Sequence, residues 1–270
     1  MTSDNKNISG NAYWDGVSEK ISGYYLIPKL ADYKNSEYIG LLERWDIGLN
    51  KRVLITDLYE AAYGNIGIYR HLSDISRELL ATDISPKLCL KAKENLEEND
   101  IKLNVVAADA RQIPLADRSV DLIISPSTFD HFPEIDRALS ECFRILQPGG
   151  KLLLALNSAD NPFFKPGVRL AERFKRHEYQ TDHFYSAKQT STLLERAGFS
   201  VGRHTAIMHL PIGATSLIEL LSKPRNHISD AVCDLMIRGC RCWGRAGKGF
   251  KMLTGWWIVM EGIKINNAAE

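Results

Sequence analysis

Short runs of apolar, β-branched residues alternate with amphipathic stretches through the middle of the chain. Residues 52–57 (Arg-Val-Leu-Ile-Thr-Asp) form such a run, which is typical of a buried strand. The pattern predicts strands at 52–57, 78–83, 103–107, 120–125, 151–157, 199–206 and 255–264, and helices at 65–74, 86–95, 133–146 and 186–197. Strands that alternate with helices indicate βαβ units, and hence a doubly wound α/β fold with a mostly parallel sheet.

Local signals mark the ends of two of these helices. Ser85 followed by Pro86 is an N-cap serine with proline in the first turn, which predicts a helix start. Gln147–Gly150 (Gln-Pro-Gly-Gly) is a strong stop after the helix at 133–146, and it predicts that the next strand begins at Lys151.

Composition and charge narrow the classes of function. The 270 residues are 44% apolar, enough for a buried core, and 34 Lys and Arg against 33 Asp and Glu give a net charge of +1. This balance excludes the strong basic excess of a general nucleic-acid binder. The polar start at 1–12, the lack of a run long enough to span a membrane and five cysteines without disulfide spacing predict a cytoplasmic protein.

A carboxylate, Asp83, follows the second predicted strand. Ligands of open α/β sheets bind beyond the carboxyl ends of the strands, where a carboxylate can accept hydrogen bonds from the two hydroxyls of a ribose. Gly64 lies 19 residues earlier, close to the separation that is usual for nucleotide-binding turns. The alternative is that Asp83 is a turn or cap residue beside Ser85.

A second carboxylate, Asp109, follows the third predicted strand. It can accept a hydrogen bond from an exocyclic adenine amine, and its small neighbours Ala108 and Ala110 would let the ring lie against the backbone. The alternative is a polar loop residue.

Five short motifs occur in a fixed order along the chain. They are Asp83-Ile84-Ser85-Pro86, Asp109-Ala110 with Ile113-Pro114-Leu115, Val120-Asp121-Leu122-Ile123, Arg144–Leu152 and Leu194-Glu195-Arg196-Ala197-Gly198-Phe199. In this register the chain resembles the class I S-adenosylmethionine-dependent methyltransferases, in particular the small-molecule branch that includes quinone and natural-product methyltransferases. The resemblance covers about residues 50–206 and again 255–264.

The resemblance implies a seven-stranded sheet of order 3-2-1-4-5-7-6, with an antiparallel last strand and helical cap insertions. It implies S-adenosylmethionine as the cofactor, with the ribose on Asp83 and the adenine on Asp109 and Ala110. Ile84 belongs to the same implied cofactor site. Ser125 begins the implied loop after the fourth strand, which would flank the transferred methyl group.

Three stretches outside this core, about 1–45, 158–186 and 207–252, are placed to cover the mouth of the site. The predicted division is an N-terminal helical cap at 1–45, a cofactor-binding core at 46–206, a helical lid at 207–252 and the final strand with its tail at 253–270.

The first loop departs from the family pattern. The family carries an acidic residue followed by closely spaced glycines, whereas residues 56–65 (Thr-Asp-Leu-Tyr-Glu-Ala-Ala-Tyr-Gly-Asn) keep only Gly64. The path of this loop must therefore differ, because alanine and tyrosine do not readily adopt positive φ. Asp57 or Glu60 remains available for the ammonium group of the cofactor. The alternative is a degenerate site that no longer binds the cofactor.

Methyl transfer from a sulfonium needs alignment of acceptor and methyl group more than it needs a strong catalyst. A general base helps where the acceptor is a hydroxyl or a carbon acid, and His131 in the loop after the fourth strand is the candidate. The alternative is that His131 only orients Asp130 or the chain. The histidines and cysteines match no zinc spacing, so no metal is predicted.

Residues 223–251 combine an apolar stripe with excess positive charge. Seven Lys and Arg stand against two acids, a net charge of +5, and the stripe has helical spacing: Ile228, Ala231, Val232, Leu235 and Met236. The simpler interpretation is that the stripe packs on the core and the charges are solvated. The alternative is an anionic acceptor, or peripheral contact with a membrane that holds a lipid-linked acceptor.

The prediction from sequence is an S-adenosylmethionine-dependent methyltransferase that acts on a small molecule such as a sugar, lipid, quinone or other secondary metabolite, with a homodimer as a possible assembly. One alternative is a non-catalytic binding protein on the same fold. Another is a nicotinamide-dependent oxidoreductase, against which the missing glycine fingerprint counts.

Overall fold

The protein is built on a seven-stranded sheet. The computed structural model describes residues 10–21, 23–47, 49–173, 183–211, 213–223 and 227–265. The strands run in the order β3-β2-β1-β4-β5-β7-β6, and β7 is antiparallel to both of its neighbours, so the predicted order and the antiparallel last strand are confirmed. The strands are β1 (Arg52–Ile55), β2 (Glu78–Asp83), β3 (Asn104–Ala107), β4 (Val120–Pro126), β5 (Leu146–Asn157), β6 (Phe199–Ile207) and β7 (Trp257–Lys264).

Helices cover both faces of the sheet and extend beyond one end of it. None of those in the described part of the chain is long and apolar enough to cross a membrane. They are α1 (Asn11–Lys20), α2 (Pro28–Arg44), α3 (Tyr59–Ala62), α4 (Gly67–Ile75), α5 (Pro86–Glu97), α6 (Ile135–Ile145), α7 (Phe164–Arg173), α8 (Ala187–Arg196), α9 (Ala214–Ser222), α10 (His227–Trp243) and α11 (Lys248–Thr254).

The central strands are apolar without interruption because both of their faces are buried. In β1, Val53 and Ile55 pack into a core that α2, α4 and α5 share, whereas Leu54 packs into a second core with α6 and α8. Successive strand residues point to opposite faces, so a strand covered on both sides alternates between two cores rather than between core and solvent.

The strand predicted to begin at Lys151 begins five residues earlier. α6 does end at Ile145, as the stop signal predicted, but the chain continues directly into β5. The pairing with β4 shifts register between Leu146 and Lys151, and Gly149 takes a φ of +78° inside this irregular stretch. Because glycine accommodates the positive φ, the sequence that ends the helix also starts the strand.

The described part of the N-terminal cap, predicted to be helical at 1–45, contains two helices, α1 and α2. Residues 21–27 separate α1 from α2. Pro28 occupies the first turn of α2, where the missing amide hydrogen of proline costs no hydrogen bond within the helix. The break brings Tyr24 and Tyr25 against the middle of α2.

The prediction that the apolar stripe of α10 packs on the core was wrong. Ile228 and Leu235 are 77% and 70% exposed, and only Met236 of the stripe packs against the core. The other face is buried because its small side chains let α9 approach closely, with the Cys233 thiol 3.7 Å from the Ile218 carbonyl oxygen. The buried residues of α10 are Ser229, Cys233, Ile237 and Cys240.

The predicted division into cap, core, lid and tail stays a prediction. Residues 1–9 of the cap and 266–270 of the tail lie outside the described residues.

Candidate functional site

A cavity of about 460 Å³ opens at the carboxyl ends of β1 to β4. This is the edge of the sheet where doubly wound folds bind ligands. Seven of the residues predicted from sequence line it: Asp57, Glu60, Asp83, Ile84, Asp109, Ala110 and His131. Gly64 and Ser125 do not: Gly64 follows α3 with a φ of +82°, and Ser125 is fully buried beneath the cavity in β4.

Backbone amides hold the Asp83 carboxylate in place. One oxygen accepts a hydrogen bond from the Leu58 amide at 3.1 Å and the other from the Ser85 amide at 2.9 Å. Burial raises the pKa of Asp83 to about 6, although these amide bonds act to lower it. Ser85 caps α5 as predicted, with its side chain accepting from the Leu88 amide at 3.1 Å. Asp83 is thus both a turn residue and a cavity residue.

Asp109 lies just after β3, and its carboxylate is held by hydrogen bonds from Arg111. Its oxygens accept from Arg111 Nε at 2.9 and 3.0 Å and from the second guanidinium nitrogen at 2.6 Å. Those hydrogen bonds outweigh partial burial and lower the pKa of Asp109. Arg111 in turn pairs with Glu134 at 2.6 Å and lies over the Phe132 ring. The carboxylate is therefore ionised and fixed.

The first loop contains a helical turn, α3, where the family has glycines. Asp57 precedes it, and a carboxylate oxygen of Asp57 accepts from the Tyr59 amide at 2.7 Å. Burial, with added repulsion from Asp83 and Glu60, raises the pKa of Asp57 well above its usual value. The Tyr69 hydroxyl donates to the Asp57 carbonyl at 2.5 Å and ties α4 to the loop.

Glu60 in α3 is engaged by a residue that sequence reasoning missed. Lys34 of α2 forms a buried ion pair with it, and Asn65 donates to its other oxygen at 2.6 Å. Lys34 also donates to the Tyr25 hydroxyl at 3.0 Å and lies 4.7 Å from the centre of the Trp257 ring. Burial disfavours the charge on Lys34, but Glu60 and Tyr25 hold its pKa above the usual value.

A sequence signal for Lys34 does exist. It falls in line with Leu30 and Tyr38 at helical i, i+4 spacing, and both of those residues are buried. A lysine in the apolar stripe of a helix is unusual, because burying its charge is costly unless the charge is paired.

The loop after β4 is built around Asp130. Asp130 accepts hydrogen bonds from the Ser127 hydroxyl at 2.8 Å and the Asn157 amide at 2.9 Å. Ser127 has a φ of +61°, a conformation rarely taken by residues other than glycine. The His131 ring meets Trp14 of α1 edge to face, with 5.3 Å between ring centres. The loop thus contacts β5 on one side and α1 on the other.

Several buried oxygens in this region have no hydrogen-bond partner among the described residues. They are Thr56 Oγ1, Ser125 Oγ, Thr128 Oγ1 and Asp130 Oδ1. Because buried polar atoms are nearly always satisfied, this cluster indicates a place for water or for polar atoms of a ligand.

The outer wall of the cavity is apolar. Phe164 of α7 stacks on Trp256 with 5.2 Å between ring centres and an interplanar angle of 21°. Val168 and Leu170 continue this wall along α7, and α9 contributes Thr215. With Trp14 from α1, each of the three stretches predicted to cover the mouth of the site therefore reaches the cavity.

The described residues include no group of three or more His, Cys, Asp or Glu side chains arranged to hold a metal ion.

Comparisons with known proteins find similarity to methyltransferases. Residues 59–154 match the sequence model of a family described as "Methyltransferase domain". A malonyl-[acyl-carrier protein] O-methyltransferase of Methylococcus capsulatus is 43% identical over 75 residues, 28% of this chain and 27% of that protein. A demethylmenaquinone methyltransferase of Lactiplantibacillus plantarum is 27% identical over 141 residues, 45% of this chain and 60% of that protein. The chain thus spans less than two thirds of these relatives.

Solved structures agree on the fold. One chain from the Haloferax volcanii complex of the Trm112 methyltransferase activator with a candidate methyltransferase has a TM-score of 0.61 at 17% identity. That match covers 98% of this chain and 100% of the other. The resemblance found in the sequence is therefore confirmed: the protein has the class I methyltransferase fold, and residues 59–154 match the methyltransferase family model.

Proposed function

We propose that the protein transfers a methyl group from S-adenosylmethionine to a small-molecule acceptor. The observation that carries this proposal is the pair of carboxylates, Asp83 and Asp109, at the ends of adjacent strands around one cavity of this fold. The relatives named above are methyltransferases, which supports the same reaction class.

The cavity suits the parts of this cofactor. Each oxygen of Asp83 accepts one amide hydrogen bond and keeps a lone pair for a ribose hydroxyl. Asp109 and the small Ala110 suit the adenine, while the acids Asp57 and Glu60 and the Tyr59 ring suit a ligand with positive charge. We call the part around Asp83 and Asp109 the adenosine end. S-adenosylmethionine, when bound, supplies an electrophilic methyl group.

The residues of the chain then align the acceptor and exclude water. Trp14, His131 and residues of α7 all line the cavity, and the rings of Trp14 and His131 are in contact. His131 takes a proton from the acceptor where the acceptor is a hydroxyl or a carbon acid. The apolar wall of Phe164 and Trp256 favours an acceptor with a flat or lipid-like apolar part.

The outward face of α10 supports delivery of such an acceptor from an anionic membrane surface. Lys29 pairs with Asp234 at 2.7 Å and lies 3.4 Å from Asp230, so its single positive charge offsets one of the two acids of this region. The exposed apolar stripe is then flanked by exposed cations, among them Arg238 and Arg245. Arg225 lies outside the described residues. A homodimer that buries the same stripe is the competing proposal.

Titration calorimetry with S-adenosylhomocysteine tests the cofactor. Micromolar binding is expected, and lack of binding by both S-adenosylhomocysteine and S-adenosylmethionine would contradict the proposal. Mass spectrometry of cofactor that copurifies with the protein separates this proposal from a nicotinamide-dependent oxidoreductase. Binding without turnover across sugar, lipid and quinone acceptors would favour a non-catalytic binding protein.

A further inference from the structure

The buried ion pair of Lys34 and Glu60 needs an explanation beyond stability. The two residues are 4% and 7% exposed, and both line the cavity. Apolar side chains of similar size often stabilise a fold as well as a buried ion pair does, so such a pair is weak evidence for a structural role. Its position in a cavity wall points to a ligand.

The first loop uses most of its backbone amides for contacts within the protein, which leaves few of them for the carboxylate of an amino-acid ligand. In glycine-rich loops, free amides approach that carboxylate. Here the amides of Ala62, Tyr63 and Gly64 donate to carbonyls within α3 and its ends, at 2.8, 3.1 and 3.1 Å. The amides of Leu58 and Tyr59 donate to Asp83 and Asp57. These contacts therefore occupy five of the seven amides from Leu58 to Gly64.

We propose that Lys34 binds the carboxylate and Glu60 the ammonium group of the amino-acid end of S-adenosylmethionine, in place of the missing glycine loop. The inference rests on the proposed function, because it concerns the same cofactor. A zwitterion offers one opposite charge to each member of the pair, so it exchanges an internal ion pair for two intermolecular ones. We call this part of the cavity the amino-acid end.

Neighbouring side chains hold both charges at the wall. Asn65 donates to Glu60 at 2.6 Å, and Asn35 donates to Asn65 at 2.6 Å. Gly67 makes room for this chain, since a Cβ there would lie 2.8 Å from Cγ of Asn35. The Tyr25 hydroxyl and the Trp257 ring retain Lys34 on its side. The ammonium of Lys34 and the carboxylate of Glu60 therefore keep these other contacts when the cofactor replaces the ion pair between them.

Two ligands isolate the amino-acid end. S-adenosylhomocysteine carries the ammonium and carboxylate, whereas 5′-methylthioadenosine keeps the adenosine and the thioether sulfur but lacks both charges. Titration calorimetry measures both affinities for the wild type, for Lys34→Met and for Lys34→Arg. Thermal unfolding monitors folding, and the double variant Lys34→Met/Glu60→Gln removes both charges together in case the single variant fails to fold.

The wild type is expected to bind S-adenosylhomocysteine at least about tenfold more tightly than 5′-methylthioadenosine, since charged hydrogen bonds distinguish them. Lys34→Met or the double variant should remove that preference and leave the affinity for 5′-methylthioadenosine within about twofold. Lys34→Arg should keep part of it. An unchanged preference in the folded variants would overturn the inference while leaving the proposed function intact. Binding of neither ligand by the wild type would instead overturn the proposed function.

Discussion

The two ends of the cavity are built in different ways. At the adenosine end, Asp83 and Asp109 directly follow strands, and their partners lie within the next two residues or on the adjacent loop. At the amino-acid end, Glu60 depends on Lys34, which comes from a helix before the first strand. Under the proposed function, residues after the strands supply one half of the site, and a helix docked beside the first loop supplies the other half.

The largest expected effect on stability comes from a substitution at the amino-acid end. Lys34→Met leaves Glu60 buried without its cation, and we expect a loss of about 3–5 kcal/mol in the free energy of unfolding. Urea denaturation measures this loss. Lys34→Met/Glu60→Gln should recover most of it. Lys29→Met on the same helix is the matched control, because its ion pairs are exposed and screened by water, so its effect should be small. Equal losses of unfolding free energy for Lys29→Met and Lys34→Met would contradict the expected cost of leaving Glu60 buried without its cation.

The second effect is at the adenosine end. Asp83→Asn replaces one acceptor oxygen with an amide that cannot accept from a ribose hydroxyl, and we expect about a 10- to 100-fold loss of affinity. Titration calorimetry should show the same loss for S-adenosylhomocysteine and 5′-methylthioadenosine, because both carry the ribose. A loss confined to S-adenosylhomocysteine would place Asp83 at the amino-acid end instead.

A smaller effect is the pH dependence of the adenosine end. Because burial raises the pKa of Asp83 to about 6, the folded free protein holds its proton more strongly than the unfolded chain does. Its stability should fall as the pH rises from about 4 to about 6. Affinity for the cofactor should rise by about tenfold between pH 5 and 7, because the ionised carboxylate is the better acceptor for a ribose hydroxyl.

Calorimetry across this pH range checks the dependence with both ligands. Asp83→Asn should flatten it, and Lys34→Arg should leave it in place. A flat profile in the wild type would show that the ionisation of Asp83 is not coupled to binding.

The smallest effect on either end is expected from the outward face of α10. Ile228→Glu/Leu235→Glu should leave both ligand affinities within about twofold, and stability within about 0.5 kcal/mol, because both side chains are exposed. Cosedimentation with vesicles that contain phosphatidylglycerol should drop about fivefold. Leu90→Glu, at another exposed leucine, is the matched control.

Vesicles of phosphatidylcholine alone should bind the wild type weakly. A change from dimer to monomer in the double variant, without any effect on vesicle binding, would assign the stripe to a homodimer instead.

The fold could be predicted closely from the sequence. Of the candidate site, the adenosine end could be predicted in the same way. Strands covered on both faces are continuous apolar runs, so they stand out, and residues that follow them directly reach the same edge of the sheet. Asp83 and Asp109 were found for that reason. Lys34 was not, because helical spacing shows that it faces inward without showing what it meets there.

Tertiary packing decided the rest. The pattern of α10 offered two faces for burial, and the small side chains around Cys233 allowed the closer contact with α9, which left Ile228 and Leu235 outside. The sequence by itself determined the strands, their order through the family motifs, and the carboxylates at their ends, since these are local consequences of the chain. The tertiary structure decided which buried charges meet, because the Lys34–Glu60 contact depends on how α2 docks beside the first loop.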